Sequence, residues 1–125
     1  MQKTYLQCRE CKKQYDSTFK YICDECFGPL DVHYDFPSLT KNTFVNREQT
    51  YWRYFELLPI TDKSNIVSIN AGMTPLVKAE KLGKKIGLNN LYIKNDSVNP
   101  TFSFKDRPAG VAVSKAKEFG LGSVG

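Results

Sequence analysis

Four cysteines fall in one short stretch, as Cys8-Arg9-Glu10-Cys11 and Cys23-Asp24-Glu25-Cys26, with eleven residues between the pairs. No other pattern in the chain restricts the fold as tightly. Each Cys-x-x-Cys knuckle turns two sulfurs to one side of a tight turn. Two such turns can close a tetrahedron around a metal and leave no position open to water. Gly28-Pro29 comes after the second knuckle, as a tight turn does. Residues 1–35 therefore predict a small zinc-ribbon-like module, with structural Zn2+ on Cys8, Cys11, Cys23 and Cys26. Tyr5, Tyr15, Phe19, Tyr21 and Phe27 are expected as apolar padding around the metal. Two other readings of the cysteines stand beside it: a pair of disulfides, disfavoured where thiols are kept reduced, and a redox Cys-x-x-Cys, for which no surrounding βαβ pattern exists. His33, the sole histidine, is read as an ordinary surface residue, since four cysteines complete the ligand set.

The chain has 125 residues, enough for one domain or for a module plus part of another. It is 41% hydrophobic and 25% charged, a globular composition. No apolar run approaches the ~20 residues of a membrane span, and the first residues lack an apolar signal region. A cytoplasmic protein without membrane partners is expected. Net charge is +5, and it is unevenly placed. Residues 1–65 carry nine basic and nine acidic side chains, whereas residues 66–125 carry nine basic and four acidic. The basic half suits an anionic ligand such as a phosphate. The ribbon holds five basic and six acidic side chains, so it lacks the basic face of a nucleic-acid reader.

Residues 36–65 read as a polar connector carrying one short helix. The connector runs from Phe36-Pro37-Ser38-Leu39 to Asn46-Arg47, and Asn46 or Thr50 could cap the next element. Tyr51 to Leu58, stopped by Pro59, places Tyr51, Trp52, Phe55 and Leu58 on one apolar face, with Trp52 as an anchor on the larger domain. Residues 66–125 form the third segment. Ile66 to Asn70 alternates like an edge strand and then turns at Gly72 and Pro75. Residues 78–87 predict a helix with Ala79, Leu82 and Ile86 inward, Lys81, Lys84 and Lys85 outward, and Gly87 as its C-cap. Leu91-Tyr92-Ile93 predicts a buried strand. A last helix comes next, with Ala109, Ala112, Val113 and Ala116 inward, Lys115, Lys117 and Glu118 outward, and Gly120 as its stop. Gly110 and the alanines would let this helix pack closely on a parallel sheet. The ending, Gly120-Leu121-Gly122-Ser123-Val124-Gly125, looks like a loop entering a strand, so the chain is expected to be a fragment of a longer protein.

Between the predicted strand and the last helix lies Asn95-Asp96-Ser97-Val98-Asn99-Pro100-Thr101-Phe102-Ser103-Phe104-Lys105-Asp106-Arg107. Asn-Pro and the small polar residues mark a turn. Ser103 with Asp106 three residues on suggests a variant capping box, although Pro108 favours a helix that begins nearer Lys105. Lys105 then sits in the first helical turn. The positive end of a helix dipole disfavours a cation there by about 0.3–1 kcal/mol, which favours the neutral amine a Schiff base needs.

The string Val98 to Arg107, with Lys94-Asn95-Asp96 before it, closely resembles the cofactor-lysine motif of the threonine synthases, pyridoxal-phosphate (PLP) enzymes of the tryptophan-synthase-β-like fold. Pro108 departs from the pattern, where a small residue such as Gly is expected. Thr74-Pro75-Leu76 resembles the Gly-x-Thr-Pro-Leu element of the same family, and the resemblance extends over ribbon and aromatic helix. It implies an α/β architecture: the incomplete N-terminal part of a fold-type-II PLP enzyme, preceded by the small four-cysteine zinc-ribbon-like module. It implies conversion of O-phospho-L-homoserine and water to L-threonine and phosphate. Lys105 would hold PLP covalently and shuttle protons at the reacting carbons. Phe104 would pack on the cofactor ring. Thr74, Asn95, Ser97, Asn99, Thr101 and Ser103 would offer hydrogen bonds to the substrate phosphate or carboxylate, and Asp106 would cap the helix or orient Lys105. The remainder of the catalytic domain would be a partner, as would a second subunit. The family's phosphate loop and its Ser-x-Gly-Asn-type element would lie beyond Gly125, so these residues alone should bind PLP poorly and should not turn over. Cysteate synthase and threonine dehydratase use related lysine motifs. A zinc-ribbon binding module without catalysis is the alternative from another class.

Overall fold

A computed structural model describes residues 3–36 and 38–123. The readings that touch Met1-Gln2, Pro37 and Val124-Gly125 lie outside the described residues. The chain is mixed α/β, with two small antiparallel sheets and one long helix. No helix among the described residues is long and apolar enough to cross a membrane.

Strands β1 (Lys3–Cys8), β2 (Gln14–Asp16) and β3 (Leu30–Asp35) form a sheet in the order β2-β1-β3. The central strand pairs Tyr5 with Asp16 on one side and with His33 on the other. Its inward residues Thr4, Leu6 and Cys8 are buried, in the period of two that a one-sided sheet requires. Of the expected aromatic padding, Phe19, Tyr21 and Phe27 are instead exposed, at 69%, 77% and 74%. The module is too thin to cover them. Tyr5 stacks on His33, at a ring separation of 5.4 Å, which is the role of the lone histidine here.

The connector contains a short helix that polarity concealed, α1 (Asn42–Val45). Asn46 is the residue that ends it, so Asn46 caps nothing downstream. Tyr51–Leu57 is 3-10 rather than α-helical and kinks at Tyr54. Thr50 precedes it in extended conformation without a side-chain cap. Aromatics of poor helix propensity, with Pro59 close behind, leave no length for an α-helix to propagate. The apolar face is as expected: Tyr51, Trp52 and Phe55 are buried with Ile60 and Ala71, and Leu58, Ile66, Ile69 and Val111 pack around them. Each large side chain removed from water there contributes about 1.5–3 kcal/mol before entropy is subtracted. This cluster is the core of the molecule's second part.

Residues 66–75 form no strand. Val67 N–H donates to Ser114 Oγ (2.8 Å) instead of to a neighbouring strand, and Asn70, Gly72 and Met73 all take positive φ. The strand is β4 (Leu76–Lys78), antiparallel to β5 (Tyr92–Lys94). All six of their residues are exposed, so the buried strand expected at 91–93 is a solvent-facing ribbon. Between them, α2 (Glu80–Ile86) ends at Gly87 in the left-handed conformation, as its sequence requires. Its expected inward residues Leu82 and Ile86 are exposed, and Gly83 alone is buried, against the Leu88 carbonyl.

Helix α3 (Asp106–Glu118) lies on the aromatic core and not on a parallel sheet; every strand pair described is antiparallel. Its buried stripe is Asp106, Gly110, Ser114 and Ala116, while Ala109 and Ala112 face outward. Gly110 is required by contact: a Cβ there would stand 2.2 Å from Tyr51 Oη. Lys115 and Glu118, read as solvated, pair at 2.5 Å with little exposure. Glu118 also accepts the backbone N–H groups of Thr61 and Asp62.

Candidate functional site

The turn that delivers Lys105 is ordered almost wholly by side-chain hydrogen bonds. Residues 96–98 form a single 3-10 turn, started by Asn95, whose Oδ1 accepts Ser97 N–H and the Ser97 hydroxyl. Asn99 is buried; its Oδ1 accepts Gly72 N–H at 3.0 Å and its amide donates to the Asp96 carbonyl. The chain reverses at Phe102, which takes φ +58, an uncommon conformation for a bulky residue. Ser103 Oγ accepts Lys105 N–H, a local turn in place of the expected capping box.

Helix α3 begins at Asp106, with Lys105 as the residue immediately before it. Asp106 is 4% exposed and accepts both the N–H (2.8 Å) and the hydroxyl of Thr101. An anion at the first helical position is favoured by the helix dipole, so one carboxylate fastens the turn and complements the helix start. The Lys105 side chain is exposed, and its amine makes no hydrogen bond or ion pair among the described residues. Phe102 and Phe104 beside it are 81% and 63% exposed.

Two residues past the lysine stands a connection that sequence reasoning missed. Arg107 forms a fork on Asp96, with Nε to Oδ2 and Nη2 to Oδ1 both at 2.9 Å. Thr74 is buried, and its hydroxyl donates to Asp96 (2.5 Å) and accepts from Arg107 (3.2 Å). Lys94 donates to the Thr74 carbonyl. The Arg107 fork, with Thr74 and nearby Lys94, holds the Asp96 carboxyl well below the usual carboxylate range. The network ties Thr74-Pro75-Leu76, the 96–98 turn and the start of α3 into one unit. The available signal was the opposite charges of Asp96 and Arg107 inside one motif, but their spacing matches no helical or strand rule.

Of the residues expected to meet a substrate, Thr74 and Asn99 are therefore buried in internal hydrogen bonds, and Asn95, Thr101 and Ser103 are engaged in the turn itself. Ser97 and Thr101 remain exposed. A separate apolar cleft of about 580 Å³ runs between the aromatic turn and α3, lined by Tyr51, Tyr54, Leu58, Pro108, Val111 and Ala112; Lys105 does not line it.

The four cysteines meet beside the β1–β3 sheet. Their sulfurs lie within 4.8 Å of one another, with Cys8 and Cys23 fully buried and Cys11 and Cys26 exposed. All four are free thiols. Such a set has the donor chemistry of a thiophilic metal.

Comparison with known proteins agrees with this arrangement. Residues 67–124 match the family model described as pyridoxal-phosphate dependent enzyme. The threonine synthase of Methanocaldococcus jannaschii is 42% identical over 124 residues, 95% of this chain and 30% of that protein. The threonine synthase of Methanosarcina acetivorans is 40% identical over 123 residues, 96% of this chain and 30% of the relative. That of Synechocystis is 43% identical over 77 residues. The chain thus spans about 30% of the length of the first two relatives. The alignments to the first two relatives span 95% and 96% of this chain, well beyond the lysine motif and Thr74-Pro75-Leu76.

Proposed function

We propose, from this kinship with pyridoxal-phosphate-dependent threonine synthases, that the chain is part of an enzyme converting O-phospho-L-homoserine and water to L-threonine and phosphate. Lys105 is the residue that holds the cofactor in this reading. One observation carries the assignment: at the start of α3 stands an amine without a partner among the described residues, on a turn held by its neighbouring polar side chains.

The residues present suit PLP at this position. An exposed primary amine is the group that condenses with an aldehyde, and Phe104 beside it presents an apolar face to a pyridine ring. When bound, the cofactor supplies an electron sink that makes substrate protons at carbon removable. Lys105, released near those carbons, takes and returns the protons. Asp106 and Thr101 fix the backbone turn that carries Lys105, and the Asp96–Arg107 fork keeps the helix start beside the Thr74 segment. A correctly placed base is worth far more than a mobile one, which gives the rigidity of this turn its purpose. Ser97 and Thr101 are exposed, but their hydroxyls donate to Asn95 and Asp106, so they join Thr74, Asn95, Asn99 and Ser103 in shaping the turn. Turnover is expected of a protein with the relatives' full length, and not of these residues alone.

The test is site-selective labelling. PLP is added to the chain, reduced with borohydride, and the modified peptides are mapped. Label should concentrate on the Lys105 peptide and vanish in Lys105→Ala. Label spread evenly over Lys81, Lys84, Lys85 and the other exposed lysines would overturn the assignment.

A further inference from the structure

The two cysteine knuckles are built alike. In the first, Lys12 N–H donates to the Cys8 carbonyl (3.1 Å) and Cys8 N–H to the Lys13 carbonyl (2.9 Å). In the second, Phe27 N–H donates to the Cys23 carbonyl (3.1 Å) and Cys23 N–H to the Gly28 carbonyl (2.9 Å). Each turn closes with the residue after its second cysteine at positive φ, Lys12 at +63° and Phe27 at +59°. Neither residue type adopts that conformation readily, so both turns hold a strained shape that aims two sulfurs at one point. Arg9 N–H donates to the Pro29 carbonyl and clamps one knuckle to the other. Gly28 makes the approach possible, since a Cβ there would stand 2.9 Å from Glu10 Cγ and 3.0 Å from Cys8 Sγ.

The sulfurs cross-pair between knuckles: Cys8 with Cys26 at 3.4 Å and Cys11 with Cys23 at 3.5 Å. A tetrahedral site with metal–sulfur bonds of about 2.3 Å has sulfur–sulfur edges of roughly 3.8 Å, within the span of 3.4 Å to 4.8 Å these sulfurs occupy, so a small adjustment admits the ion. The fully buried Cys23 sulfur is also surrounded by donors. Tyr15 Oη accepts Asp24 N–H (3.1 Å), which leaves the phenolic hydrogen to point at Cys23 Sγ, 3.1 Å away. Glu25 N–H points at the same sulfur (3.4 Å). A sulfur receiving several donors in a buried place is arranged as a thiolate, and a buried anion needs a cation. Lys13 and Lys20 sit over the Tyr15 ring but pair with Glu25 and Asp24, leaving the centre of the cluster for another charge.

We propose that Cys8, Cys11, Cys23 and Cys26 bind one structural Zn2+ in a closed tetrahedral site, with Tyr15 as the hydroxyl donor to the Cys23 sulfur. Binding forms four metal–sulfur bonds, and each thiol still protonated gives its proton to solvent; no group is oxidised or reduced. With every position filled by sulfur, the ion binds no water and performs no chemistry. The proposal is independent of the PLP reading, and neither result decides the other.

The experiment uses the whole chain, purified without added metal. Elemental analysis should find one zinc per chain. Exchange for Co2+ should give the intense visible bands of a tetrahedral ion with a thiolate charge-transfer band, a readout that needs no variant. Tyr15→Phe should keep that stoichiometry yet lose metal to a competing chelator about 10-fold more readily. Four outcomes would each overturn the proposal: a metal-free chain whose ribbon stays protected from hydrogen exchange in excess chelator, weak octahedral Co2+ bands, stoichiometric iron in place of zinc, or a mass short by the four hydrogens of two disulfides.

Discussion

The ribbon and the lysine-bearing part solve the problem of order in opposite ways. In residues 3–35 the fully buried side chains are Cys8 and Cys23, and Leu6 is the one large aliphatic residue with them; its aromatics largely face water. In residues 51–116 an apolar cluster of Tyr51, Trp52, Phe55 and Ile60 packs with Val111 of α3, beside the buried polar residues Thr74, Asn99, Asp106 and Ser114. A module of some thirty residues cannot bury enough apolar surface to fold on that basis alone and needs a staple. The second part has a core, and spends its polar side chains on positioning one turn. On the two proposals above, cysteine replaces a core through a bound metal, and aspartate orders the turn that carries a lysine.

Removing metal should break the comparison most visibly. Structural zinc is worth about 10–16 kcal/mol in small modules, so a chelator should abolish exchange protection in β1–β3. The core around Trp52 should keep its protection and its fluorescence. Concerted loss of both would show that the two parts are one cooperative unit.

Asp106→Ala probes the other part. It removes a buried carboxylate that accepts two hydrogen bonds at a helix start, at a cost of about 2–4 kcal/mol read as a shift in the denaturant midpoint. Exchange at Thr101 to Lys105 should accelerate more than exchange in the ribbon, and selective labelling of Lys105 should fall. Uniform acceleration across the chain would mean that Asp106 supports stability without aiming the lysine.

Legibility in the sequence divides along the same line. The cysteine spacing, the Tyr51/Trp52/Phe55/Leu58 face and the Gly87 cap are local patterns, and each is present as read. The edge strand expected at 66–70 was not, because alternation says nothing about Asn70 and Met73 turning to positive φ or about Ser114 capturing Val67 N–H. The inward faces expected for α2 and β5 were likewise not found, since periodicity marks a face able to be buried and does not supply what covers it. The Thr74–Asp96–Arg107 network joins residues 11 to 33 positions apart, beyond any periodic signal. The helix start beside Lys105 was legible in the sequence; the network that holds that turn was not.

Asp96→Asn sharpens the account of that unit through pH. The Asp96 carboxyl titrates below its ordinary range in the fold because Arg107 grips its charged form. Its contribution is therefore complete above the ordinary carboxylate value of about 4 and is lost as pH falls below it. At neutral pH the substitution should cost about 1–2 kcal/mol, because the pair is only partly shielded from water. The gap between the two proteins should close as pH falls below about 4. A gap of constant size down to strong acid would assign the loss to shape and not to charge.

The smallest effect addresses whether the two parts communicate at all. The Phe19 ring, in the loop before the second knuckle, meets Phe119 just after α3 edge-on, with centroids 6.0 Å apart. Lys115 lies over the Phe119 ring at 4.8 Å and also pairs with Glu118, which accepts Thr61 and Asp62 N–H groups. The ribbon thus meets the end of α3 away from Lys105 through an exposed Phe19 and a half-buried Phe119. Phe19→Ala should cost about 0.5–1 kcal/mol at most and leave zinc content unchanged. If the contact couples the parts, the variant should speed exchange near Phe119 while sparing the Thr101–Asp106 turn. A variant that also loosened Lys105 would make α3 a lever between the metal module and the lysine, and the two solutions to order would no longer be separate.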